Sequence, residues 1–189
     1  MQPKGIQPSN MHPSPMQAGS AAWRSLRVDP ALRSELEGLY ADYASALDER
    51  RYEDWLKFFT EDCKYKVQSR ENHSRGLPLA TLAFESRGML QDRIYGVVET
   101  LFHQPYYQRH VLGPLRFIEV LNEGEPMERL VRTECNYSVF RVKLNALPEV
   151  FNVGRYLDTW RFSESGWKLA DKLVVFDSDL IANSMIYPI

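Results

Sequence analysis

The sequence predicts an α+β fold, with helices first and antiparallel strands after, in which a strongly curved sheet wraps the first helix. Three observations predict it. Apolar residues recur at helical spacing between positions 30 and 59. The period then switches to two from Cys63 onward. From Arg109 to Phe176, alternating apolar runs follow one another between turn signals, with no strand–helix–strand alternation. The first pattern is that of amphipathic helices and the second of half-buried strands. The third is that of a meander rather than a parallel nucleotide-binding sheet. Curving the sheet over the helix is the simplest way to bury both apolar faces.

Residues 1–28 read as a Pro-rich, flexible extension and 29–189 as a single domain. The first twenty residues hold four prolines, and Lys4 is their only charged side chain. Such a composition buries too little surface to offset ordering entropy. Order is expected from Asp29-Pro30, an N-cap followed by a proline that loses no hydrogen bond there. Leu32, Leu36, Leu39, Tyr40, Tyr43 and Leu47 then mark a helix over 30–49. Tyr52, Trp55, Leu56 and Phe59 mark a shorter one. Cys63, Tyr65 and Val67 alternate with Lys64, Lys66 and Gln68, which predicts a strand. Residues 70–78 read as a polar loop carrying Gly76 and Pro78. Leu90, Ile94, Val97 and Leu101 predict a helix over 86–101, opposed by Gly88 and Gly96.

The second half is expected to be all strand. Residues 111–121 form one apolar run, and 122–128, with Gly124 and Pro126, a turn. Val131, Thr133, Cys135, Tyr137 and Val139 alternate with polar residues. Turns at 145–148 and 163–166 then separate strands over 151–162 and 167–176. No internal repeat is present, nor any glycine-rich phosphate loop, nucleophile elbow or zinc-protease motif.

Composition excludes several function classes. The 189 residues suit roughly one domain at ~150 residues each. A net charge of -2 disfavours nucleic-acid binding, which needs a basic surface to displace counterions. No run nears the ~18 apolar residues of a membrane span, and the first twenty residues have no apolar leader core, so no membrane partner and a cytoplasmic address are expected. Two cysteines and four histidines exclude a disulfide framework, and no Cys-x-x-Cys or Cys-x-His spacing supports a zinc or iron–sulfur site. Cys63 and Cys135 read as buried, reduced thiols. His103 and His110 are seven residues apart with Pro105 between them, a poor spacing for a facial iron triad. No metal or catalytic residue is therefore assigned.

A curled sheet over helices can still enclose a pocket. Tyr40, Tyr43, Trp55, His73, His110 and Asp177 are its candidate lining, with Asp42 and His103 as further candidates for acid–base work. The plainer reading of the aromatic members is core. For His110 it is a histidine at a strand entry, bonded to backbone or facing an interface. Tyr106, Tyr107, Arg109 and His110 are candidate interface residues, because Tyr and Arg are enriched at hot spots. Tyr187 and Ile189 join them: the final nine residues are apolar and uncharged, and require burial on their own domain or on another subunit.

Several segments together resemble the small (β) subunits of aromatic-ring-hydroxylating dioxygenases. Leu47-Asp48-Glu49-Arg50-Arg51-Tyr52-Glu53-Asp54-Trp55 resembles that family's helix junction, and Phe58-Phe59-Thr60-Glu61-Asp62-Cys63-Lys64-Tyr65 continues it. Arg109-His110-Val111 resembles the segment that opens the sheet, although here Arg and His are adjacent. The stretches from Phe151 to Asp158 and from Leu169 to Asp177 resemble the last two strands. Within the family, Arg70-Glu71-Asn72-His73, Pro105-Tyr106-Tyr107-Gln108-Arg109-His110 and the final residues are most similar to salicylate 5-hydroxylase-type and terephthalate dioxygenase-type small subunits. The chain departs from the family at Gly113-Pro114, where many members carry Asn, so a bulged or edge position is expected there.

The resemblance implies a cystatin-like (NTF2-like) cone with its helices packed in a strongly curved, antiparallel or mixed sheet. It implies a structural, non-catalytic subunit of an oxidoreductase complex, with self-trimerisation of β subunits inside an α3β3 hexamer. This chain would hold no cofactor. The large α subunit would hold a Rieske [2Fe-2S] cluster and a mononuclear iron, with NAD(P)H electrons arriving through a separate transfer chain. A hydroxylated, salicylate-like benzoate is the implied substrate of the assembly. The competing readings are a free-standing isomerase or dehydratase of the same fold, and a small-molecule-binding protein without turnover.

Overall fold

Helix α1 (Pro30–Asp48) starts where the cap residues place it. The Asp29 carboxylate accepts from the Ala31 N–H at 2.8 Å, and Pro30 occupies the first turn. Leu32, Leu36, Tyr40, Tyr43 and Leu47 form its buried stripe. Arg50, at φ 54, turns the chain into α2 (Tyr52–Leu56). Strand β1 (Phe59–Ser69) then begins sooner than the helical spacing implies, because the Phe58 carbonyl already accepts from the Leu169 N–H at 2.7 Å. Phe59 still packs on Trp55, with ring centroids 4.9 Å apart. The computed structural model describes residues 25–100, 102–121, 129–178 and 185–189. The expected extension therefore lies almost wholly outside the described residues, as does the expected turn at 122–128.

Three expectations are corrected, and one unexpected strand is added. The polar loop at 70–78 contains a one-turn helix, α3 (Arg70–Ser74), whose first turn is held by Ser69 accepting from the Asn72 N–H at 3.2 Å. Gly76 then closes it with φ +63, a conformation that suits glycine. A short strand, β2 (Leu82–Phe84), follows; three residues are too few to show a period. The predicted helix at 86–101 is α4 (Arg87–Tyr95), capped by Ser86, followed by a wider π turn over Gly96–Thr100. Gly96 has the low helix propensity that permits the change of pitch. The run at 111–121 is two strands, β3 (Tyr106–Leu112) and β4 (Arg116–Leu121), broken at Gly113-Pro114. Gly113 N–H still reaches the Asn136 carbonyl at 2.7 Å, but Pro114 has no donor and the ladder stops.

Both pieces pair antiparallel with β5 (Leu130–Lys143) along the same edge. Strands β5, β6 (Glu149–Ser163) and β7 (Gly166–Phe176) form the expected meander. Asn145 (φ 59) and Gly166 (φ +88) supply its left-handed turn positions. The sheet order is β2-β1-β7-β6-β5-β3, with β4 beside β5. One pairing departs from antiparallel: β1 lies parallel to β7. The sheet is therefore mixed. Register shifts in β1, β4, β5 and β6 mark irregularities of the kind that bend and twist strands. The result is the curved sheet around α1 that the sequence predicts.

The core fills the concave face. Trp55, Trp160, Tyr43, Tyr65, Tyr156 and Phe59 are all nearly inaccessible to solvent. The last residues complete it. Arg93 donates to the carbonyls of Met185 and Ile186 at 3.0 and 2.9 Å. Tyr65 Oη donates to the Ile189 carbonyl at 2.7 Å and accepts from the Ile189 N–H at 3.1 Å. Among the described residues, no helix is long and apolar enough to cross a membrane.

Candidate functional site

Two buried polar systems lie between α1 and the sheet. The first joins Tyr40 of α1, Thr133 of β5, Asp158 and Trp160 of β6, and Lys172 of β7. Lys172 Nζ lies 3.1 Å from Asp158 Oδ2, and Tyr40 Oη donates to the same oxygen at 2.5 Å. Trp160 Nε1 donates to Thr133 Oγ1 at 3.1 Å, and that hydroxyl meets Tyr40 Oη at 2.8 Å. The ammonium also sits 3.5 Å from the Tyr156 ring centroid, a cation–π contact.

Burial dominates the electrostatics here. It raises the Asp158 pKa, although Lys172 and Tyr40 pull it down. It lowers that of Lys172 despite Asp158, and lifts the Tyr40 phenol well above its ordinary range. Lys172 is 0% exposed and Asp158 is 2%. No substrate reaches such a pair without the packing opening. Its evident work is to tie α1 to three strands, filling the place where a curled sheet could hold a ligand.

The second system joins the end of α1 to the edge strand. Asp48 Oδ1 accepts from His110 Nδ1 at 2.6 Å, and both carboxylate oxygens lie 3.1 Å from the His110 backbone nitrogen. Asp48 thus pins the tautomer of the ring and also covers a backbone donor of β3. Arg109 approaches the same carboxylate at 3.6 Å from the solvent side. His110 borders a cleft of about 580 Å³, together with Tyr40 and Ala44 of α1, Cys135 of β5, and Leu112 and Leu115 on either side of the Gly113-Pro114 strand interruption.

The structure brings together only part of what the sequence nominates. Tyr40 and His110 border one cleft. Tyr43 and Trp55 are packed in the aromatic core instead, with ring centroids 6.2 Å apart. His73 sits on α3, and Asp177 forms an ion pair with Arg70 at 2.8 Å, so neither belongs to that cleft. Asp42 is exposed on α1. His103 Nε2 meets Tyr187 Oη at 2.8 Å.

The nominated interface divides in the same way. Tyr106, Tyr187 and Ile189 are buried within their own chain, Tyr106 against Tyr187 with centroids 4.5 Å apart. Tyr107 and Arg109 point outward along β3, while His110 points inward. Strand alternation explains the split: residues 106, 108 and 110 share one face, and 107 and 109 the other.

Sequence reasoning missed Asp158, Lys172 and Asp48. A signal was present. Asp158 falls between Tyr156 and Trp160 on the buried phase of β6, and Lys172 shares a phase with Val174 and Phe176. Asp48 follows Ala44 by one helical turn. A charged residue in phase with core residues has to find a partner. Among the described residues, no group of three or more His, Cys, Asp or Glu side chains is placed to hold a metal ion.

Comparison with known proteins places this geometry. Residues 43–183 match the family model described as the ring hydroxylating β subunit. The chain is 29% identical over 155 residues to the anthranilate 1,2-dioxygenase small subunit of Burkholderia cepacia, covering 82% of this chain and 92% of that protein. It is equally similar to the β 1 subunit of the terminal oxygenase component of terephthalate 1,2-dioxygenase from a Comamonas species, covering 82% and 97%. Among solved structures, it superposes with a TM-score of 0.74 and 29% identity on a chain assigned as the β subunit of an aromatic-ring-hydroxylating dioxygenase in Novosphingobium aromaticivorans, covering 84% and 97%. The superposition shows that the mixed sheet around α1 is a fold shared with that chain, and the match over residues 43–183 shows that the chain belongs to the ring-hydroxylating dioxygenase β-subunit family.

Proposed function

We propose that this chain is the small, structural subunit of the terminal oxygenase of a Rieske non-haem iron aromatic-ring hydroxylase. The reading is carried by one observation: a family match over 43–183 on a chain whose concave interior is filled by its own Lys172–Asp158–Tyr40 network. Catalysis then belongs to a large α partner, which would hold the Rieske [2Fe-2S] cluster and the mononuclear iron. Electrons from NAD(P)H would reach it through a separate transfer chain, and a cytoplasmic address is proposed for the assembly.

The proposed stoichiometry is α3β3, with the β subunits forming a trimer. Tyr107 and Arg109, outward on β3, are the residues of the original interface set that remain free to contact a partner. Of the expected extension over residues 1–28, Ser25 to Val28 pack on the domain, with the Leu26 N–H donating to the Phe117 carbonyl at 2.8 Å and Val28 against the core, and the residues before them are proposed to be the extension. Two curated relatives are named for oxygenases of aromatic carboxylates, which supports a benzoate-type substrate, hydroxylated and salicylate-like, for the assembly.

Co-expression with a large (α) oxygenase subunit from the same organism tests the proposal. The expected result is stable co-purification at equal stoichiometry, with ring hydroxylation that requires both chains. A lone homodimer that turns over a small ketone, and loses that activity on His110→Gln, would overturn it in favour of a free-standing isomerase or dehydratase.

A further inference from the structure

We propose that the cleft between α1 and the Gly113-Pro114 interruption is the docking site of the chain's own leading segment, residues 21–24, with the Trp23 indole as its occupant. The oxygenase reading above does not enter the argument.

The argument starts from where the lead meets the domain. The described residues begin at Ser25, on the edge of β4. The Phe117 N–H donates to Ser25 Oγ at 3.0 Å, and the Phe117 carbonyl accepts from the Leu26 N–H at 2.8 Å. Among the described strands β4 pairs only with β5, so these bonds lie on its other edge. Residues 1–24 therefore depart from an otherwise open edge, two positions from Leu115, which lines the cleft. Such an edge is a template for more chain. Arg33 locks α1 to this end of the cleft. It donates to the Leu115 carbonyl at 3.1 Å and lies 4.6 Å from the Phe117 ring centroid.

The chemistry of lead and cleft is complementary. Trp23 is the only Phe, Tyr or Trp among residues 1–28, and Ala21 and Ala22 precede it. The part of the lead nearest the domain is thus its apolar end. An indole has a large apolar surface that gains from burial. The cleft offers about 580 Å³ walled by Leu112, Pro114 and Leu115 on one side and by Ala41 and Ala44 of α1 on the other. Extended chain advances at most ~3.6 Å per residue, so the Trp23 Cα lies within ~7 Å of that of Ser25. That reach brings the indole to the Leu115 end. Arg24 follows, and the half-exposed Glu37 carboxylate at the rim has the opposite charge. Docked there, the lead covers the outer edge of β4 and plugs the cleft in cis.

The test uses the full-length chain, alone and in complex with a large (α) oxygenase subunit, labelled with 5-fluorotryptophan. Trp55, Trp160 and Trp167 are all buried, and Trp23→Phe assigns the fourth ¹⁹F resonance. We expect Trp23 to be shielded from a soluble paramagnetic agent as strongly as those three, in both samples. Trp23→Ser should lower the thermal midpoint by about 5 °C. Ala41→Phe, on the exposed position of α1 in the cleft wall, should move the Trp23 resonance to that of the free fluoroindole. In that background Trp23→Ser should shift the midpoint by less than about 1 °C, because the two sites are coupled.

A Trp23 resonance at the free position and fully relaxed by the agent would overturn the proposal. So would a Trp23→Ser effect undiminished by Ala41→Phe. Protection only in the complex would make Trp23 an anchor on the large subunit, and loss of self-association on deleting residues 1–24 would seat it on a second copy; either result also overturns docking in cis. None of these readouts is hydroxylase activity, so failure here and failure of the oxygenase reading are told apart.

Discussion

Lys172 and Asp158 meet at 3.1 Å with almost no solvent at either end. Burial raises the carboxylate pKa above its ordinary 3.8 and lowers the ammonium below its ordinary 10.5. The signs fix what the pair does. A raised carboxylate contributes stability below the unfolded value and loses it as pH rises through the folded one. A lowered ammonium contributes above the unfolded value and loses it as pH falls through the folded one. At neutral pH both shifts therefore oppose folding relative to solvated charges. Lys172→Met alone strands a buried carboxylate and should destabilise by about 3–5 kcal/mol. The double variant Lys172→Met/Asp158→Leu should recover most of that loss or exceed the parent. Urea unfolding at pH 7 measures both, and a double variant no better than the single one would contradict this account. The thiols make a second prediction. Burial pushes Cys63 and Cys135 up to about 11. At pH 8 a disulfide-exchange reagent should find neither thiol in the folded protein and both in denaturant. Rapid labelling of the native chain would show that the core opens there.

At the scale of elements, β6 and β7 approach each other closely at Gly154. Gly154 pairs with Phe176, and a Cβ on it would stand 2.1 Å from the Val175 carbonyl oxygen. That neighbour is backbone and has no rotamer to yield. Gly154→Ala should therefore destabilise by about 3 kcal/mol through displacement of a strand, which thermal unfolding measures. An unchanged midpoint would contradict the close approach.

The elements also show what the sequence could and could not reveal. Helix α1 and strands β5, β6 and β7 were legible because each carries a long, single period with clear boundaries. Phe59 misled, since it satisfies helical spacing from Tyr52 while its backbone already belongs to β1. Gly113-Pro114 announced a disturbance, but not that the two pieces would pair side by side with one strand. The parallel β1–β7 pairing joins residues more than a hundred positions apart. No local pattern encodes such a pairing; it follows from the closing of the whole sheet.

At the scale of the molecule, the concave interior and the surface have different tasks. The interior is occupied by aromatic rings, the Lys172–Asp158 pair and the final residues Met185, Tyr187 and Ile189. Arg93 and Tyr65 hold that last segment by its backbone. The candidate site was only half legible for the same reason. Tyr40 and His110 could be named from residue type, but their partners Asp158 and Asp48 come from other elements and are set by packing. The surface keeps Tyr107 and Arg109 outward on an edge strand. A filled interior and an open edge suit a subunit that supports a partner's chemistry. Native mass spectrometry of the chain co-expressed with a large (α) oxygenase subunit from the same organism tests this most directly. The account predicts one dominant species with equal numbers of the two chains, three of each; a spectrum holding only this chain, unassociated with the large subunit, would contradict it.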